Sequence, residues 1–319
     1  MAQQLAKQSR KNHKYSAFGL TILSEVVLPE LSPAVQETVD VEIVYGSLGA
    51  AYRMPCDESA CGVFSPQAFL LRIASVADYY VTNGTSVVVQ PWSNDPGEVR
   101  VYLLGLVMGV IMQQRGIMAL HGSAVVVNGQ AVIFAGSSGA GKSTMAAALR
   151  NKGHLLLADD VAVITFSKAR LPWVQSGFPQ QKLMFDSAAQ VGIEAAALAL
   201  VSQSWDKYAV PVTAGFEARP MPLKAIYQLT AQAEAELSLA PLTGFNKIAA
   251  IITNTYCYNL LEKVGLKLAH FNMCAGFLKE LPVFRLTRPL GQQSLQDQVR
   301  LWEEHFTDMS TGCQLNNTI

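Results

Sequence analysis

One stretch of the chain has the makings of a phosphate cradle. Gly136-Ser137-Ser138-Gly139-Ala140-Gly141-Lys142-Ser143 fits the pattern G-x-x-x-x-G-K-[ST]. Phosphates concentrate negative charge and need several donors at once. Glycines let the backbone curl so that successive N–H groups point inward. A following helix adds its N-terminal dipole and free N–H groups. Lys142 is placed to reach the β- and γ-phosphates, and the Ser143 hydroxyl to ligate Mg²⁺. The pattern implies a nucleoside triphosphate, ATP, with Mg²⁺, held by Gly136, Ser137, Ser138, Gly139, Ala140, Gly141, Lys142, Ser143 and Thr144.

Two further features carry chemistry. Asp159-Asp160 follows the apolar run His154–Ala158. Acidic residues at the end of a buried strand beside a phosphate loop commonly hold Mg²⁺. With two in a row, one carboxylate can face the metal while the other accepts the proton of an attacking hydroxyl. Adjacent strand residues point to opposite faces, so both can serve one site only if a turn begins there. His121-Gly122 stands just ahead of the strands that feed the loop. A lone histidine is more often structural than catalytic.

The surrounding pattern supplies elements to position these groups. Ala124–Val127 and Ala131–Ala135 are apolar runs joined by Asn128-Gly129, a hairpin signal, because both central positions of a type I′ turn need positive φ. The second strand runs into the loop. Thr144–Lys152 continues as a helix with Gly153 as its cap, and a short strand ends at the aspartates. Upstream, Phe18–Val27, Val39–Tyr45, Ala68–Ser75 and Ser86–Gln90 read as strands. Val99–Gln114 reads as a buried helix. Downstream, Ala195–Ser202, Asn246–Lys263, Lys267–Lys279 and Leu295–Phe306 have helical character, while Leu223–Leu229, Ala235–Leu239 and Val283–Leu286 look extended. The division is a flexible tail over 1–14, a β-rich domain over 15–96, a catalytic α/β domain over 97–307 and a tail over 308–319.

Composition sets outer limits. The 319 residues are half apolar and 15% charged, enough for a sizeable core. Lys plus Arg and Asp plus Glu balance at 24 each, which gives no overall basic footprint for nucleic acid. The longest apolar run, Val101–Met112, falls short of the roughly 18–20 residues of a membrane span. The N-terminus lacks the apolar stretch of a secretory signal. Cys56, Cys61, Cys257, Cys274 and Cys313 are odd in number and lack zinc spacing. A cytoplasmic protein with reduced thiols is the expectation, with neither nucleic acid nor membrane as partner.

Taken together, the motifs resemble the catalytic domain of HPr kinase/phosphorylase. Leu120-His121-Gly122, Gly136–Ser143 and Gly153-His154-x-x-x-Ala158-Asp159-Asp160 carry the likeness over roughly 115–165. Their order and spacing match as well: Lys142 stands 21 positions after His121, and the aspartates 17 and 18 after Lys142. The resemblance implies a core similar to phosphoenolpyruvate carboxykinase and ATP-dependent phosphorylation of a serine hydroxyl. It implies Asp159 as general base assisted by His121, with Lys142 on the phosphates, and Asp160 with Ser143 as metal ligands. The family's second signature, a Glu followed by Arg-Gly-x-Gly, is absent; Gln175–Leu183 stands near its place. The chain is therefore more similar to the HPr-kinase-like proteins of lasso-peptide and related natural-product clusters, and Tyr15–Leu31 and Pro282–Gly291 share that likeness. Such proteins phosphorylate a serine of a short precursor peptide, which makes a peptide or protein the implied partner. A homo-oligomer is compatible with the resemblance. Lys182 and Arg288 are candidates for positive charge on the transferred group beyond Lys142. A small-molecule hydroxyl kinase and a non-catalytic nucleotide-binding regulator are the alternatives, with carboxykinase chemistry behind them.

Overall fold

A computed structural model describes residues 11–49, 65–194, 198–202, 205–263, 265–278, 281–291 and 294–315. It is a mixed α/β structure with three sheets. Cys56 and Cys61 lie outside the described residues; Cys257 and Cys274 are free thiols.

Seven short strands form the first sheet: β1 (His13–Ala17), β2 (Leu20–Ser24), β3 (Ser32–Pro33), β4 (Val41–Tyr45), β5 (Ala68–Ile73), β6 (Ala77–Thr82) and β7 (Ser86–Pro91), in the order β3-β1-β2-β4-β7-β6-β5. The strand expected over Phe18–Val27 is instead cut at its start. Phe18 and Gly19 both have positive φ and form the hairpin turn between β1 and β2. β1 also takes in His13 and Lys14, which the sequence pattern left in the tail.

The helical segment that follows has Asp95 as its N-cap, accepting from Gly97 N at 2.8 Å, and Pro96 in the first turn. It runs as α1 (Pro96–Tyr102), a π-helical turn over Leu103–Val107, and α2 (Met108–Gln114). Its apolar residues Val99, Leu103, Val107, Met108 and Ile111 share one core with the first sheet. Tyr79 donates to Val99 O, and Arg100 pairs with Glu30. The same core takes in Ala119, Val161, Val163 and Phe178 from the following unit.

The second sheet carries the phosphate loop. β8 (Met118–Val127) and β9 (Gln130–Ala135) form the expected hairpin, with Asn128 and Gly129 both at positive φ. The strand starts earlier than the pattern suggested, so His121 lies within β8 rather than ahead of it. Along its other edge β8 changes partner. It pairs with β11 (Val161–Phe166) over Met118–His121 and with β10 (Leu155–Ala158) over Ala124–Val126. β12 (Pro172–Val174), β16 (Met221–Gln232), β17 (Ser238–Pro241) and β18 (Val283–Pro289) complete the sheet, and β9, β16 and β18 run parallel. Helix α3 (Lys142–Asn151) and the terminal helix α8 (Leu295–Leu315) cover one face through Met145, Leu149, Val299, Trp302 and Phe306. Helices α5 (Gly244–Thr253) and α7 (Lys267–Phe277) cover the other through Ile251 and Cys274. The terminal helix continues well past Phe306, into the residues the pattern left as a tail.

Two helical expectations fail for stated reasons. Asn246–Lys263 is broken into α5 and α6 (Tyr258–Lys263), because the intervening residues bond to β8: His121 N donates to Asn254 O and Tyr256 N to Ala119 O. Leu200–Ser202, expected as helix, is strand β14 of a third sheet, where pairing with β15 (Trp205–Pro211) overrides the alanine-rich composition. β13 (Gln180–Met184) completes that sheet in the order β13-β15-β14, and α4 (Phe185–Gln190) follows it.

Candidate active site

β9 delivers the phosphate loop at the carboxyl end of the parallel strands. Gly136 lies hard against β16: a Cβ there would come 2.7 Å from Leu229 O. Gly139 and Gly141 have φ of 79° and 100°, a left-handed backbone that glycine adopts at least cost. Ser137, Ser138 and Gly139 form an exposed crown, while Ala140 and Lys142 are buried beneath it. The Lys142 side chain bends back across the loop, donating to Ser137 O at 2.9 Å. Thr144 donates to the Ser187 hydroxyl of α4 at 3.0 Å.

The aspartates sit where β8 changes partner. Asp160 has φ of 70°, so the chain turns between β10 and β11 and both carboxylates reach one place. Ser123 of β8 donates to Asp159 Oδ1 at 2.6 Å, and the Lys182 backbone N–H donates to Oδ2 at 2.8 Å. The Ser143 hydroxyl is close enough to act on Asp159 as well, as the weakest of the neighbours that lower its carboxyl. Asp160 faces a different set. Lys182 Nζ lies 2.7 Å from its Oδ2, and His121 Nδ1 lies 3.5 Å from its Oδ1 and 3.1 Å from its backbone oxygen.

These surroundings separate the two acids. Burial raises the Asp159 carboxyl above its usual value, against its hydrogen bonds and with the charge of Asp160 adding. Burial alone would raise Asp160 too, but Lys182 and His121 outweigh it and hold that carboxyl at about 2. Burial, then Lys207, bring the Lys142 ammonium down to about 8, with Asp160 and Asp159 opposing. Burial and the charge of Lys142 lower the His121 imidazole, with Asp160 opposing. The His121 ring lies 5.9 Å from that of half-buried Tyr256.

Lys182 therefore belongs to the acid pair. Its segment, Gln175–Leu183, provides the strand that closes the site. Arg288 stands at the end of β18, opposite Ala231, and donates to Pro289 O. A cavity of about 320 Å³ opens between Gly136, Ser137, the end of β16, Thr253 and Asn254. Ser123, Tyr256 and Lys207 went unmarked in the sequence. The faint signal for Ser123 was its place two residues after His121, a spacing that puts both on one face of a strand.

Residues 114–176 match the family model of the HPr Serine kinase C-terminal domain. The HPr kinase/phosphorylases of two Treponema pallidum strains are each 31% identical over 124 residues, 38% of this chain and 35% of the relative. The chain thus spans about a third of the length of the curated relatives it matches. The HPr(Ser) kinase/phosphatase from Coxiella burnetii covers 62% of this chain with 96% of its own, at 12% identity and a TM-score of 0.35. The family match and the curated relatives support an HPr kinase C-terminal domain for the segment that holds the loop, His121 and the aspartates. Among the described residues, no helix is long and apolar enough to cross a membrane. Nor, among those residues, do three or more His, Cys, Asp or Glu side chains cluster to hold a metal.

Proposed function

We propose that the chain transfers the γ-phosphate of ATP to a serine hydroxyl. One observation carries this reading: a single backbone corner sets an enclosed acid, Asp159, bonded to Ser123 and the Lys182 amide and within the influence of the loop's Ser143, next to an acid–histidine pair, Asp160 and His121. Loop amides, Lys142 and the N-terminus of α3 hold the triphosphate. The small number of acidic groups fits Mg²⁺, which usually takes one or two protein oxygens and completes its shell with water and phosphate. Ser143 and Asp159 would hold it. When bound it offsets charge on the β- and γ-phosphates.

The hydrogen bonds favour the reverse of the division of labour that the resemblance implies. Asp159 is enclosed, bonded to Ser123 and the Lys182 amide, and close to the loop serine, which suits the metal side. Asp160 retains some exposure and has His121 as its neighbour, which suits the acceptor side. The acceptor oxygen attacks Pγ as the bond from Pγ to the bridging oxygen breaks. ADP leaves, and the hydroxyl proton passes to Asp160. The depressed Asp160 carboxyl is a weak base, so its work is to orient the hydroxyl and receive the proton late in a loose transition state.

The acceptor we propose is a serine of a short precursor peptide in a lasso-peptide-like pathway. In support, Gln175–Leu183 provides Lys182 where HPr kinases carry their second signature. The test is mass spectrometry of candidate peptides with ATP. A gain of one phosphate is expected, lost in Lys142→Ala and in Asp160→Asn. Asp159→Asn should instead raise the Mg²⁺ concentration needed for half-maximal rate. Full activity in both Lys142→Ala and Asp160→Asn would sink the mechanism; a Mg²⁺ effect confined to Asp160→Asn would restore the opposite assignment of the acids.

A further inference from the structure

The pairing of the third sheet fixes which side chains share a face. β13 and β15 are antiparallel, with Lys182 opposite Ala209 and Met184 opposite Lys207. Opposed residues point to the same face and neighbours along a strand alternate. Lys182, Met184, Lys207 and Ala209 therefore share one face, and Gln181, Leu183, Tyr208 and Val210 the other. The second face is occupied: Leu183 and Val210 pack with Ala147 of α3 and Ala188 of α4.

The first face looks onto the acids. Lys182 crosses from it to Asp160 at 2.7 Å, passing 6.0 Å from the centre of the Trp205 ring. Lys207 stands one diagonal step from Lys182, a backbone separation of about 7–8 Å that long side chains bridge. It is half-buried. Unlike that of Lys182, its ammonium has no ion pair or hydrogen bond with another described residue. Its charge acts on three members of the site: Lys142, His121 and Asp160. Two ammonium groups directed at one space repel unless an anion lies between them.

We propose that Lys207 is a catalytic lysine that contacts the transferred γ-phosphoryl group from the side opposite Lys142. The proposal rests on the kinase reading above. In a loose transition state, charge spreads over the three equatorial oxygens of the phosphoryl group, and a donor from one side cannot reach all of them. Lys142 approaches from the loop and Lys207 from the third sheet. Lys182 is committed to Asp160 and leaves that second position to Lys207.

A contact to the γ-phosphate alone has a signature that a structural role lacks. It separates ATP from ADP. In the full-length chain, Lys207→Met should bind ADP within about twofold of wild type, which also reports that the variant is folded. Its preference for ATP over ADP should fall to what Lys142 and the loop alone confer. The rate of phosphate transfer should fall by about 10²–10³-fold, the usual effect of removing one donor to developing negative charge. Lys207→Arg, which keeps the charge, should recover part of the ATP preference. Calorimetric titration with each nucleotide reads the affinities. A Lys207→Met protein that keeps the wild-type ATP preference overturns the proposal and leaves the kinase reading standing. A wild-type chain that binds neither nucleotide overturns both.

Discussion

Asp159 and Asp160 are covalent neighbours that titrate in opposite directions. The turn at Asp160 gives each its own surroundings, one enclosed by hydroxyl and amide donors, the other set against a lysine and an imidazole. Lys142 offers the sharpest test at this scale. Its ammonium is held at about 8, so near that pH the free protein carries it half-protonated. Phosphates favour the charged form and raise its pKa on binding. Nucleotide binding at pH 8 should therefore take up a fraction of a proton, and affinity should fall as pH rises above 8. Calorimetry in buffers of differing ionisation enthalpy measures that proton directly. Release of a proton, or no exchange, would contradict the picture of a buried, neighbour-strained lysine. The loop, His121 and the aspartates were legible because each sits in a short, local pattern. Lys182 was marked only as a candidate for the transferred group, not as the partner of Asp160, and Lys207 was not marked at all: what places them is pairing between strand residues more than twenty positions apart, which leaves no local mark.

At the scale of elements, turn chemistry was the most readable layer. Asn128-Gly129 and Gly153 were identified because positive φ selects few residue types. Phe18-Gly19 shows the limit, since a phenylalanine at positive φ looks like a strand residue in sequence. The break between α5 and α6 was invisible for another reason: helical spacing continues through it, and only the partner β8 draws the chain out. Tyr256 comes from that break. Its ring rests on the glycines of the helix that precedes β8, where a Cβ on Gly109 would lie 2.7 Å from the ring and one on Gly105 3.3 Å from the hydroxyl. In isolation Gly109→Ala would favour the helix by about 1 kcal/mol. Here the overpacking should win, with a net loss of about 1–2 kcal/mol. Because Tyr256 adjoins His121, phosphate transfer should fall while ATP affinity is kept. A Gly109→Ala protein that melts higher than wild type with unchanged turnover would show that the seat is looser than it looks.

Over the whole molecule, the second sheet is the middle of three layers. Its most buried aromatic group is centred on Trp302 of the terminal helix, which meets Phe134, Tyr227 and Phe306 with ring centroids 5.2–5.8 Å apart. Trp302→Ala should cost about 3–5 kcal/mol of stability. Thermal melting reads this, and an unchanged midpoint would mean that the terminal helix is dispensable. Sequence periodicity marked this helix but not its partners, since the strand residues it covers are apolar on both faces.

The residues around the catalytic corner belong to three different cores. Leu156 packs with α3 and α8, Ala158 with α5 and α7, and Val161 with the N-terminal sheet. Asp160 is thus moored from several sides, and the β-rich N-terminal sheet is one of its moorings. Cutting the chain at residue 97 would remove the sheet from that core, leaving only the helical segment over Val161, with every motif residue still in place. In evolutionary terms, substitutions in a sheet with no chemistry of its own are then filtered by their effect on a carboxylate they never touch. The N-terminal sheet can drift only as far as Val161 allows.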